Sequence, residues 1–267
     1  MQQRSPLVNV MVSAAQKAGR KLVRDFGEVE HLQVSKKGPA DFVSVADHKS
    51  EKILYEELSR ARPNYGFLME ESVAVAGSDT SNRWIIDPLD GTLNFLHGIP
   101  QFAISIGLER DGEAHAGVIY DPVGDNLFSA EKGQGAYHNN RRIRVSGRQN
   151  MEDALFSTGI PFKGVRDHDV FLRQLGAVMA VSAGVRRFGA ASLDLAWLAC
   201  GRYDGFWESG LSPWDVAAGI IIVKEAGGFV SDPDGGKSML ESGDIVAAND
   251  RLHGPLLKLL KSARTAD

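Results

Sequence analysis

Residues Trp84 to Phe95 read WIIDPLDGTLNF, an apolar strand that runs into two carboxylates three apart, Asp87 and Asp90, and then into a small Gly91-Thr92 turn. The pattern gathers negative charge at a strand's end. At an effective dielectric of about 20, two carboxylates about 4 Å apart repel by roughly 4 kcal/mol, so a converging pair needs a proton, a basic partner or a metal ion. No Lys or Arg occurs between Trp84 and Phe102. Two further acidic clusters, Glu70-Glu71 and Trp214-Asp215, sit at similar junctions. A hard divalent cation with oxygen ligands fits the whole set better than a shared proton. Taken singly, Asp before Pro and Asp before Gly are ordinary turn formers, and an Asx turn is the plain alternative for either residue.

The chain reads as two halves. The first opens with Leu7, Val10, Met11, Ala14, Ala18, Leu22 and Phe26, a helical stripe bounded by Gly27. A second helix is expected from Val45 to Arg60. After the acidic motif come FAISIGLE, AHAGVIYD, NLFSAEK and GAYHN, short alternating runs separated by tight turns, which predict an antiparallel meander. From Leu155 the pattern alternates strand and helix: LFSTGI, a helix near Asp169 to Ser182, VRRFG, a helix at Leu193 to Cys200, DGFWES and a helix opening at Trp214. Strands GFVSD and DIVAAN and a helix near Leu252 to Leu260 complete it. No repeat or long linker divides these segments, so the reading is one body, residues 1–267, with approximate halves 1–150 and 151–267.

Ser212-Pro213-Trp214-Asp215 reads as a helix start, with Ser212 as cap, Pro213 in the first helical position and Asp215 as the capping-box acid. Ser44-Val45-Ala46-Asp47 has the same form. Capping and cation binding are compatible, because a carboxylate held at a helix N-terminus keeps an oxygen free to face a ligand.

Composition excludes several classes. Thirty basic against 34 acidic residues, a formal charge of −4, provide no global basic field for nucleic acid. The longest apolar run, Val216 to Val223, is far short of the roughly 20 residues of a membrane helix, and the polar start MQQRSP lacks a signal-peptide core; a cytoplasmic protein is expected. The lone Cys200 has no partner for an internal disulfide, and LAWLAC favours a buried place for it over a nucleophile. Seven scattered histidines lack zinc-ligand spacing. There is no Gly-x-Ser-x-Gly elbow or Walker loop, and GQG at Gly133 to Gly135 lacks the third glycine of a dinucleotide turn.

DPLDGTLNF resembles the metal-binding signature of the inositol monophosphatase family, and WDVAAGIIIVKEAGG at Trp214 to Gly228 resembles its second signature. DFVSVAD at Asp41 to Asp47 and MEES at Met69 to Ser72 match in the family's order and spacing. The resemblance runs from the first helix to about Asn249. It implies an α/β fold, an α+β layered sandwich of alternating helix and sheet layers, with an antiparallel meander in the first half and a mixed sheet in the second. The activity it implies is hydrolysis of a small phosphate monoester by metal-activated water, with two or three Mg2+ ions per site and sensitivity to lithium.

Residue by residue, the resemblance makes Glu70, Asp87, Asp90, Asp215 and the Leu89 carbonyl metal ligands. The amides of Gly91 and Thr92 cradle phosphate, while Thr92 pairs with Asp47 to activate water; Glu71 orients water or a further ion. Lys36, or Lys37 beside it, matches a lysine near the outer metal. Gly189, Ala190, Ala191 and Glu208 face the alcohol part of the substrate, with Asp215 also on the substrate side. Here Ala190 stands where many relatives carry a hydroxyl residue, which removes one polar contact. STGIPF at Ser157 to Phe162 resembles the inositol-phosphatase branch. Myo-inositol monophosphate is the first expected substrate; histidinol phosphate or another small monoester is the alternative. A homodimer is implied, with the meander as its exposed surface. Some bacterial relatives also act as accessory factors on the transcription machinery; those carry Arg before Pro-Trp-Asp, whereas this chain has Ser212.

Overall fold

A computed structural model describes residues 4–28, 34–38, 41–161 and 168–265, with side chains described outside 34–38 and 41–43. Helix α1 (Pro6–Phe26) begins where Ser5 Oγ accepts the Val8 N–H at 3.1 Å and ends at Gly27. Strands β1 (Val34–Gly38) and β2 (Asp41–Ser44) form a small antiparallel pair, and α2 (Val45–Ala61) follows. Next come β3 (Tyr65–Met69), β4 (Asp79–Asp90), the short α3 (Thr92–Leu96), β5 (Ala103–Arg110), β6 (Glu113–Asp121), β7 (Asn126–Glu131), β8 (Gly135–His138) and β9 (Arg141–Arg142). These seven strands make one sheet in sequence order, parallel only between β3 and β4.

The second half supplies β10 (Leu155–Thr158), α4 (His168–Met179), β11 (Gly184–Arg186), α5 (Ala191–Ala199), β12 (Gly205–Glu208), α6 (Pro213–Glu225), β13 (Phe229–Ser231), α7 (Met239–Ser242), β14 (Ile245–Ala248) and α8 (His253–Thr265). Its sheet has the order β11-β10-β12-β14-β13, with β10 parallel to both neighbours and β14 antiparallel to both of its own.

Helices and sheets alternate in layers. Helices α1 and α2 cover one face of the large sheet through Met11, Leu22, Leu54, Ile104, Ile106 and Val118. Helices α5 and α6 lie between the sheets, and α4 and α8 close the far side of the second sheet on Phe156, Trp207, Leu256 and Leu260. The middle layer explains why Val216 to Val223 is apolar on every side, since all eight residues are buried. Burying an Ile side chain contributes roughly 1.5–3 kcal/mol, so Ile220, Ile221 and Ile222 each favour the buried placement of α6. No helix of the described residues is long and apolar enough to cross a membrane.

The expected exposed surface on the meander is absent on β5 and β6. The meander does not present an open face: α1 packs on one side of β5 and β6, α6 on the other, and Ala103 to Leu108 are all buried. The alternation in FAISIGLE is large against small, not apolar against polar. Ile104, Ile106 and Leu108 enter the core beneath α1 and α2, while Ser105 meets α6 through its hydroxyl, which donates to the Trp214 carbonyl at 3.1 Å.

Candidate active site

In a regular strand, residues three apart point to opposite faces, so Asp87 and Asp90 should diverge. The pairing of β4 with β5 shows why they do not: Asp87 lies opposite Ser105 and Asp90 opposite Ala103, with an irregularity between them. Two residues of β4, Pro88 and Leu89, face one of β5, and this bulge turns both carboxylates to the same side. Pro88 suits the position because it has no N–H to lose from the ladder. Its carbonyl accepts from Ser50 Oγ of α2 at 2.8 Å, and Asp87 Oδ1 accepts the Leu89 N–H at 2.9 Å.

The helical middle layer delivers the third acid. Ser105, opposite Asp87, holds the start of α6, where Asp215 Oδ2 accepts the Ser212 N–H at 2.7 Å as a capping-box acid should. Among the described residues, Asp87, Asp90 and Asp215 each offer a carboxylate oxygen within 4.8 Å of the others. Strand β3 pairs Met69 with Ile86, so Glu70 emerges beside Asp87. It stands outside that trio and acts on it by charge.

The electrostatics follow from this crowding. Asp87 is held well above the ordinary carboxylate range by burial, then by the charges of Glu70, Asp90 and Asp215. Asp215 is raised likewise by burial, then by Asp90. Asp90 is raised by burial, with opposition from Ser192, whose N–H and hydroxyl both donate to its Oδ2, and from the other first amides of α5. Among the described residues no basic side chain forms an ion pair with any of the three. Buried, mutually repelling oxygen donors without a counter-cation fit a hard divalent ion.

Asp47 stands beside this trio. As the capping acid of α2 it accepts the Ser44 N–H at 2.8 Å and the Ser44 hydroxyl at 2.6 Å through Oδ2. Its Oδ1 accepts from Thr92 Oγ1 at 3.0 Å, and the Leu89 carbonyl lies an equal 3.0 Å from the same hydroxyl. One hydroxyl hydrogen serves one strong acceptor, so Thr92 chooses between a carboxylate and a carbonyl. Gly91, at φ 88°, takes the left-handed conformation that starts α3, whose first amides have no acceptor within the helix.

Sequence reasoning misses two residues that hold this site. Glu51, buried on α2, accepts the Glu71 N–H at 2.8 Å and the Ser72 hydroxyl, and so anchors the acidic turn after β3. Its one signal is position: it follows Asp47 by four residues on the same helix face. Ser192 is the other; it places a hydroxyl one helical step from Ala191, and that hydroxyl faces Asp90 rather than open solvent.

Gly189 and Ala190, expected to face the alcohol, adjoin the Gly91 turn. Gly189 has φ 81°, Ala190 is the N-cap of α5, and Ala191 opens that helix. Gly91 abuts them: a Cβ on it would stand 3.3 Å from both Ala190 Cβ and the Gly189 carbonyl. Glu208 ends β12, half-buried, its carboxyl pushed up to about 8 by burial and by Asp90, against the pull of Arg187. Asp194, buried on α5, is raised by burial, then by the charges of Glu208 and Asp90. The side chains of Lys36 and Lys37, and Phe162 of the STGIPF string, lie outside those described. Burial pushes the Cys200 thiol up to about 11, which keeps it from acting as a thiolate.

A sequence profile of the inositol monophosphatase family matches residues 3–265. The inositol-1-monophosphatase of Mesorhizobium japonicum is 59% identical over 263 residues, 98% of this chain and 99% of the relative. The Nus factor SuhB of Pseudomonas aeruginosa is 42% identical over 96% of each chain. The crystal structure of the extragenic suppressor protein suhB from Bartonella henselae has a TM-score of 0.94 and 56% sequence identity, covering 96% of this chain and 99% of that one. Layers, strand order and the convergent acids thus coincide with a match over nearly the whole length, and the chain belongs to the inositol monophosphatase family.

Proposed function

We propose that this chain is a Mg2+-dependent phosphoric monoester hydrolase whose first substrate is a myo-inositol monophosphate. The observation that carries the reading is the convergence of Asp87, Asp90 and Asp215 beside the hydrogen-bonded pair of Asp47 and Thr92. Asp87, Asp90, Asp215, Glu70 and the Leu89 carbonyl would hold magnesium, which when bound supplies Lewis-acid charge that makes water more acidic and offsets the phosphate's own charge. Asp47, fixed by Ser44, takes a proton from the attacking water through Thr92 or directly. Glu71 orients water on the outer side. The first amides after Gly91 face the phosphate oxygens. Glu208 accepts hydrogen bonds from hydroxyls of the alcohol, against the backbone of Gly189 to Ala191.

The relative named inositol-1-monophosphatase at 59% identity supports the substrate class. A panel of phosphate esters assayed with and without Mg2+ tests it, with inositol 1-phosphate expected first and histidinol phosphate among the alternatives. Activity that survives exhaustive chelation undiminished sinks the reading. Lithium is expected to inhibit, and a homodimer is expected by light scattering. A second reading, attachment to the transcription machinery, rests on the Nus factor relative at 42% identity. Capture of transcription proteins from lysate by the tagged chain supports it, and their absence counts against it.

A further inference from the structure

We propose that Asn94 is a positioning residue that locks the alcohol-facing backbone at Phe188 and Gly189 onto the phosphate-facing turn at Gly91, and thereby sets which alcohols the site accepts. The inference rests on the phosphatase reading above. Asn94 is the third residue of α3 and is buried. Its Nδ2 donates to the Gln101 carbonyl at 2.8 Å, to the Phe188 carbonyl at 2.8 Å and, more weakly, toward the Gly189 carbonyl at 3.3 Å. A primary amide has two N–H groups, so both are committed to the short bonds and the Gly189 contact is shared. One side chain therefore joins segments 94 residues apart in sequence.

The junction is closed on its other side by Gly91, on which a Cβ would lie 2.9 Å from the Gln101 carbonyl and 3.3 Å from the Gly189 carbonyl. Turn and segment thus touch through backbone, and Asn94 supplies the donors between them. The acids have independent supports: Asp90 binds Ser192, Asp215 binds the Ser212 amide, and Ser50 grips Pro88. Loss of the Asn94 amide leaves those bonds in place and strips the Phe188 carbonyl of its donor. The alcohol-facing backbone then loosens relative to the phosphate-facing turn, which costs recognition of a polyol more than recognition of phosphate itself.

The test compares kcat/KM for inositol 1-phosphate with kcat/KM for 4-nitrophenyl phosphate in the Mg2+-loaded full chain. Their ratio does not depend on the fraction of protein that is folded. Asn94→Asp keeps the shape but points a carboxylate at three part-buried carbonyls, and the ratio is expected to fall about tenfold, the worth of one hydrogen bond lost with its acceptor left unpaired. Asn94→Ser keeps a single donor and is expected to fall less. Asn249→Ala is the control, because Asn249 Nδ2 also makes three donor contacts, to Ser146 O, Ser146 Oγ and Arg148 O, far along the chain from the site. It should lower Tm with the ratio unchanged. A ratio within about twofold of the parent in both Asn94 variants overturns the proposal, as does failure of both to fold, which would assign Asn94 to folding alone. A parent chain inert on both esters would instead sink the phosphatase reading itself.

Discussion

Gly159 lies directly against the carboxylate of Glu208: a Cβ built on Gly159 would overlap both Glu208 oxygens. Glycine is thus required just after β10 for the Glu208 carboxylate to occupy this place. Gly159→Ala is expected to push Glu208 out of place and raise KM for inositol 1-phosphate as strongly as Glu208→Ala does, by roughly 1–3 kcal/mol, the cost of a hydrogen bond lost with its partner left unpaired. An aryl phosphate, which offers no hydroxyls to Glu208, should be hydrolysed with nearly unchanged KM by both variants. Equal losses on both esters would refute the recognition role.

Glu208 also sets a pH dependence of stability. In the folded chain its carboxyl is pushed up to about 8, from an ordinary value of 4.5. Between those values the folded chain keeps a proton that the unfolded chain has released, so stability falls as pH rises from about 4.5 to about 8 and the penalty is absent below that window. Asp87, Asp194 and Asp215 are raised as well and add to the same trend. Melting curves of chelator-treated protein at pH 5, 6, 7 and 8 should show Tm declining, with a shallower decline in Glu208→Gln. A parallel decline in both proteins would remove Glu208 as a contributor.

Much of the fold is legible because its signals are local. Gly27, Ser44 with Asp47 and Ser212 with Asp215 mark helix ends within a few residues, and the helices end or begin there. The layering follows from the all-round apolar α5 and α6, which need cover on both sides. What local spacing does not carry is contact across the chain. Ser192 meets Asp90 from 102 residues away, and Glu51 meets Glu71 from 20. The convergence of Asp87 with Asp90 depends on the bulge against β5, which an alternation pattern in β4 alone would predict wrongly. Cover of the meander by α6 is likewise a contact across the chain, made in part by Ser105 with Trp214 109 residues away.

Removal of one charge from the trio separates binding from folding. Asp87 is buried with Glu70, Asp90 and Asp215 all raising it, so Asp87→Asn should relieve repulsion in the metal-free protein. Relief of about 1 kcal/mol corresponds to roughly 2–4 °C of Tm in a chain of this size. The parent should gain stability on Mg2+ addition, about 2.7 kcal/mol at a hundredfold excess over Kd, and the variant should gain almost none. Calorimetric scans with Mg2+ and with chelator read both effects. A variant that is less stable without metal and still stabilised by Mg2+ contradicts the assignment of Asp87 as a ligand.

Asp47 and Leu89 share one hydroxyl. Thr92 Oγ1 has two acceptors at 3.0 Å and one hydrogen, so a cation drawing on the Leu89 carbonyl would leave Asp47 as the acceptor of choice. Asp47 would then hold both Thr92 and the attacking water, and its other oxygen is already fixed by the Ser44 amide and hydroxyl. Asp47→Asn retains the size and one acceptor oxygen but removes the charge that takes up the proton. It should lower kcat by at least about a hundredfold, within the usual range for a general base, for polyol and aryl phosphates alike, with KM little changed. Thr92→Val should lower kcat in the same substrate-independent way. Asp47 is also a helix cap, and loss of a cap costs typically about 1 kcal/mol, so Tm is expected to fall by a few degrees in Asp47→Asn. Capping alone cannot lower kcat in protein that remains folded at the assay temperature. If Asp47→Asn loses stability but keeps the parent kcat on both esters, its work is structural and another group is the proton acceptor.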